Sequence, residues 1–193
     1  KGSTWAEYEA RARLVALGLA ALGLAKGDRI VIASEDTPEW FYADLGAQMI
    51  GVQVVGIYPT NPWPELQYIA RHCRAKVAIT GDQEQTDKVL EAMKAGEGLP
   101  QLQHLFCVDM KGLRQYRQSQ LMSVEKLCQL GKSYAAENPD ADATLVEGLD
   151  GDLVADADVA QDVLGCDFAV FEHELGGARG ANAELVFLLA DDK

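Results

Sequence analysis

The stretch Lys26-Gly27-Asp28-Arg29-Ile30-Val31-Ile32-Ala33, followed closely by Thr37-Pro38-Glu39-Trp40, decides the fold. Lys26-Gly27-Asp28 breaks a preceding helix, and Arg29 to Ala33 is a short, nearly all-apolar run, as in a strand buried on both faces. Thr37-Pro38 then opens a helix, with Pro at the first helical position, where its missing N–H costs nothing. A doubly buried strand leading straight into a helix is the unit of a parallel sheet.

Upstream, Thr4-Trp5-Ala6-Glu7 is a capping box, in which the Thr hydroxyl and the Glu carboxylate satisfy each other's orphan backbone donors. The helix behind it should reach about Leu24, with Ala10, Leu14, Leu17, Ala21 and Leu24 forming one core-facing stripe. Downstream, the helix from Pro38 runs to about Ile50 and stops at Gly51. The alternation continues with strand Val52 to Tyr58, helix Pro64 to Arg74, strand Lys76 to Thr80, helix Gln83 to Lys94 and strand Leu105 to Asp109. This predicts an α/β fold, a mostly parallel sheet with helices on both faces, joined by right-handed crossovers. A last helix, about Ser123 to Ala136, leaves the sheet with Ser123 as its cap and Leu127 and Leu130 facing inward.

Charge divides the chain where this alternation fades. Residues 1 to 132 hold 15 Lys+Arg and 15 Asp+Glu, whereas residues 133 to 193 hold 2 and 15, so the second part carries the whole net charge of −13. Three segments follow from this: an α/β layer domain at 3–136, an acidic linker at 137–164, and a short strand or helix segment at 165–193. The stretch Asp140 to Asp162 reads as mobile, because Asp, Ala and Val recur there without period. Asp167 to Phe171 reads as a strand, and Ala183 to Ala190 as a helix or strand.

Several function classes are excluded. A pI near 4.6 with no cationic stripe argues against nucleic acid. No run approaches the roughly 18 apolar residues of a membrane span, and Lys1-Gly2-Ser3 is neither a Met start nor a signal peptide, so the chain reads as a fragment. Cys73, Cys107, Cys128 and Cys166 form no CxxC pair. Reduced, buried thiols in a cytoplasmic protein are the expectation.

Three segments carry a family resemblance. They are Thr4-Trp5-Ala6-Glu7 with Lys26-Gly27-Asp28-Arg29-Ile30; Pro38-Glu39-Trp40 with Asp44-Leu45-Gly46; and Gly51 through Ile57-Tyr58-Pro59-Thr60 with Tyr68-Ile69. A fourth stretch, Asp82-Gln83-Glu84-Gln85 with Asp87-Lys88-Val89-Leu90, extends the likeness to about residues 3–139. In order and spacing they resemble the N-terminal portion of the long-chain fatty acid–CoA ligases of the adenylate-forming superfamily. The resemblance implies a parent that uses ATP, Mg²⁺ and CoA to convert a fatty acid to its thioester through an acyl-adenylate.

That chemistry needs a Ser/Thr/Gly-rich loop around the phosphates, a Mg²⁺-holding carboxylate, a nucleotide pocket and a lysine on a mobile C-terminal domain. In the family, a segment like Asp142-Ala143-Thr144-Leu145-Val146 leads into a loop written T-S-G-T-T-G-x-P-K-G. Here Val146 is followed by Glu147-Gly148-Leu149-Asp150-Gly151-Asp152, which has no lysine and sets three carboxylates where a triphosphate would dock. No catalytic, cofactor-binding or metal-ligating residue is therefore assigned. Fatty acid, ATP and CoA are expected partners of a full-length parent only, and the oligomeric state is left open.

Other constellations read blandly. Leu175-Gly176-Gly177-Ala178 with Glu184-Leu185 resembles the family's Gly-Gly-Ala segment near adenine, but its spacing is one residue off and a glycine turn suffices. Asp150, Asp152, Asp156 and Asp158 lack the spacing of a Ca²⁺ loop. His72 beside Cys73 on a helix shares no face with it. His173 sits between Glu172 and Glu174 in a charged turn, and Ser34 and Ser133 lack a nucleophile-elbow context. Tyr58-Pro59-Thr60-Asn61-Pro62-Trp63-Pro64 is a rigid turn at a strand's carboxyl end, where open α/β sheets bind ligands, although prolines restrict φ whether or not anything binds. Two readings of different class remain: the N-terminal part of a ligase, not competent alone, or a non-enzymatic relative using the α/β layer as scaffold and its acidic region for a partner.

Overall fold

The structure, a computed structural model, describes residues 4–141. The chain divides into two units, residues 1–155 and 156–193, and every described residue lies in the first. Most of the expected acidic linker, and the strand and helix segment at 165–193, lie outside the described residues.

Helix α1 spans Trp5–Ala21 behind the predicted capping box, with Glu7 N–H donating to Thr4 Oγ1 at 3.2 Å and Thr4 N–H to Glu7 Oε2 at 2.8 Å. It ends before Leu24 because Gly23 takes a left-handed φ of 81°. Strand β1 is Arg29–Ala33, and Ile30, Val31, Ile32 and Ala33 are all buried. Helix α2, Pro38–Gln48, is capped by Thr37 and followed by Gly51 at φ 69°. Strand β2 is Gln53–Ile57, α3 is Trp63–His72, β3 is Val77–Thr80, α4 is Gln83–Lys94 and β4 is His104–Cys107.

The sheet has the order β2-β1-β3-β4-β5, all pairs parallel, where β5 is Leu121–Ser123. The β1-to-β2 and β2-to-β3 crossovers run in opposite directions along the sheet, which puts α2 on one face and α3 on the other. Helix α1 packs between α2 and the final helix α5, Val124–Glu137, while α3 packs on α4. The parallel α/β layer predicted from the strand and helix alternation is thus the fold observed.

Three details differ. The buried residues of α1 are Ala12, Val15, Ala16, Leu17, Gly18 and Leu19, while Ala10 and Ala21 are exposed. Burial against α2, α5 and the sheet leaves this helix no single stripe. Second, α5 does not leave the sheet: Val124, Leu127 and Cys128 join the core cluster around Ile30, Ile32 and Phe106. Leu127 is buried as expected and Leu130 is half-buried. Third, β5 and a 3₁₀ turn at Leu113–Gln115 had no expected counterpart. Three residues are too short for a hydrophobic period, and Ser123 doubles as the cap of α5, donating nothing to a strand pattern.

Candidate functional site

The strand order reverses at β1 and β3, so the crevice outside their carboxyl ends is the place to look for a ligand. Here the two loops close on each other. Gly81 N–H donates to the Ala33 carbonyl at 3.0 Å, and a Cβ added at Gly81 would lie 2.5 Å from Ser34 Oγ. Ser34 is buried and its hydroxyl donates to the Glu35 carbonyl at 2.9 Å. It has no base beside it among these contacts, and the exposed neighbours Glu35 and Asp36 make the rim acidic.

Next to this crevice, the Tyr58 to Pro62 turn leaves β2, as predicted, and is tied to α4. The Pro59 carbonyl accepts from Gln85 Nε2 at 3.2 Å and from Lys88 Nζ. Asn61 N–H donates to the Tyr58 carbonyl at 3.0 Å, closing the turn. Asp82 caps α4 by accepting from Gln85 N–H at 3.0 Å, which orients the first turn carrying Gln85. Lys88 also pairs with Glu84 at 3.1 Å. Both of its partners are therefore protein groups, and its charge is spent on holding the turn.

At the carboxyl ends of β3 and β4, Asp82, Gln83, Glu84, Asp87, Asp109 and Lys111 line an open depression of about 430 Å³. Its four carboxylates outnumber its single ammonium. A backbone N–H from Lys111 holds the Asp109 carboxyl below the usual range, so it is ionised at neutral pH. Tyr116 Oη donates to Asp87 at 2.5 Å and accepts from Gln83 Nε2 at 3.1 Å. That bond to Asp87 raises the phenol's pKa. An anionic ligand would meet like charge in this depression.

The remaining sequence candidates fall apart in space. His72 is exposed and stacks on Tyr68, centroids 5.8 Å apart, while Cys73 is buried and its thiol pKa is pushed up by that burial. Cys107 and Cys128 are also free, buried and raised by burial. Ser133 is exposed on α5. Among the described residues, no group of three or more His, Cys, Asp or Glu could hold a metal, and no helix is long and apolar enough to cross a membrane. His173, Cys166, Glu147, Asp150, Asp152, Asp156, Asp158 and the Gly176-Gly177 segment lie outside them. The Gln85 and Lys88 anchor was missed from sequence, since nothing local couples α4 to a turn 26 and 29 residues away.

Comparison with known proteins bears on these features. The family described as AMP-binding enzyme matches residues 1–146, ending at Val146, immediately before Glu147-Gly148-Leu149-Asp150. The long-chain-fatty-acid–CoA ligase ACSBG1 of Rattus norvegicus is 33% identical over 135 residues, 70% of this chain and 18% of that protein. An uncharacterized protein of Mycobacterium tuberculosis is 35% identical over 106 residues, 55% of this chain and 57% of its own length. Among solved structures, the anthranilate CoA ligase AuaEII in complex with anthranoyl-AMP superposes with a TM-score of 0.59 at 26% identity, over 67% of this chain and 23% of that one. A Mycobacterium tuberculosis fatty acyl CoA synthetase shares the fold, with a TM-score of 0.56. The chain spans about a fifth of the length of the ligases it matches. With three quarters of its residues inside the family match, the chain belongs to the AMP-binding enzyme family.

Proposed function

We propose that this chain is the N-terminal α/β layer of a long-chain fatty acid–CoA ligase, acting in the cytoplasm, and that it does not activate a fatty acid alone. The observation that carries this reading is the end of the family match at Val146, where the phosphate loop would begin and an acidic sequence follows. In such ligases the fatty carboxylate attacks the α-phosphate of ATP, releasing pyrophosphate, and the CoA thiol then displaces AMP. Each step builds charge that fixed donors must meet, and losing one such donor costs about 3 to 4 kcal/mol. The sheet, the braced turn and the acidic rim among the described residues support this reading.

The test is to incubate the purified chain with palmitate, MgATP and CoA and to follow AMP. No protein-dependent release is expected. Clear turnover would overturn the reading and place a nucleotide site outside residues 4–141.

The short mycobacterial relative favours the second reading, a stand-alone scaffold, because 106 matched residues are more than half of that protein. A ligase-length polypeptide cannot be that short. Immunoblotting the source cells separates the two: a band near 20.9 kDa supports the stand-alone module, and one several times larger supports the ligase.

A further inference from the structure

We draw no further inference here: the strongest candidate, the surface hollow of about 180 Å³ between Arg71 and Arg74 at the end of α3 and the Leu99 to Leu102 segment before β4, is open only among the described residues, and nothing in the structure shows what covers it.

Discussion

Gly131 of α5 meets the backbone of Leu14 in α1 so closely that a Cβ on Gly131 would stand 2.1 Å from the Leu14 carbonyl oxygen. The contact is reciprocal one turn along, where a Cβ on Gly18 would stand 2.4 Å from the Leu127 carbonyl oxygen. Two helices touch through bare backbone at both points. Arg11 and Glu125, 3.1 Å apart at the exposed end of the same interface, contribute little by comparison.

Gly131→Ala should therefore destabilise the fold, although alanine favours a helix by about 1 kcal/mol over glycine. Backbone atoms cannot swing aside like a flexible side chain, so the helices must separate, at a net cost of about 1 to 3 kcal/mol. Thermal unfolding followed by circular dichroism measures this. A midpoint equal to or above wild type would mean that α1 and α5 are not in backbone contact.

Ile32→Ala should cost about 2 to 5 kcal/mol, because Ile32 is fully buried in β1 between strands β2 and β3 and its loss leaves a cavity in the core cluster it shares with Ile30, Ile79 and Phe106. Urea unfolding gives the difference at constant slope. A change under about 0.5 kcal/mol would place Ile32 at a surface.

What was legible in the sequence follows from how local each signal was. Gln83 to Lys94 and Arg29 to Ala33 have the predicted bounds, because Asp82 caps the one and Asp28 and the loop after Ala33 delimit the other. The stripe on α1 failed for a different reason. A helix covered on three sides buries Ala12 and Val15 as readily as Leu17, so apolar spacing no longer reports which side faces the core. The glycines of the α1–α5 contact look like weak helix positions until their partners are known. At the candidate site, the departure after Val146 could be read because a motif was missing, whereas the brace on Pro59 depends on two residues distant in sequence and meeting only in the fold.

Asp44→Asn should stabilise the protein at neutral pH. Asp44 sits half-buried on α2, and burial raises its carboxyl pKa despite a hydrogen bond from Gln48 Nε2 at 2.9 Å. A carboxyl raised on folding binds more protons in the native state over the window above its ordinary pKa, so stability falls as pH rises through that window. The amide avoids this loss. Solvent reaches the group, so the gain should be at most about 1 kcal/mol at pH 7 and vanish below the ordinary carboxylate range. Melting midpoints of both proteins from pH 3 to pH 7, a range chosen to span that window, check it. A gain that persists unchanged at pH 3 would assign the effect to helix propensity instead.

Lys88→Met, paired with Gln85→Leu, should free the Tyr58 to Pro62 turn without unfolding the sheet. Lys88 Nζ and Gln85 Nε2 are the side-chain donors on the Pro59 carbonyl, and each hydrogen bond contributes about 0.5 to 1.5 kcal/mol, more where the donor is charged. Gln85 Oε1 is buried without a partner, so Gln85→Leu also removes an unsatisfied acceptor, and its net cost should be the smaller of the two. Hydrogen exchange separates local from global effects, since a released turn opens by itself. The Asn61 amide, bonded to the Tyr58 carbonyl, should exchange at least about tenfold faster in Lys88→Met, while Ile30 and Ile79 in the central strands keep their protection. Equal acceleration at Asn61 and Ile79 would mean that Lys88 supports the whole layer, and no acceleration at Asn61 would mean that the prolines alone hold the turn.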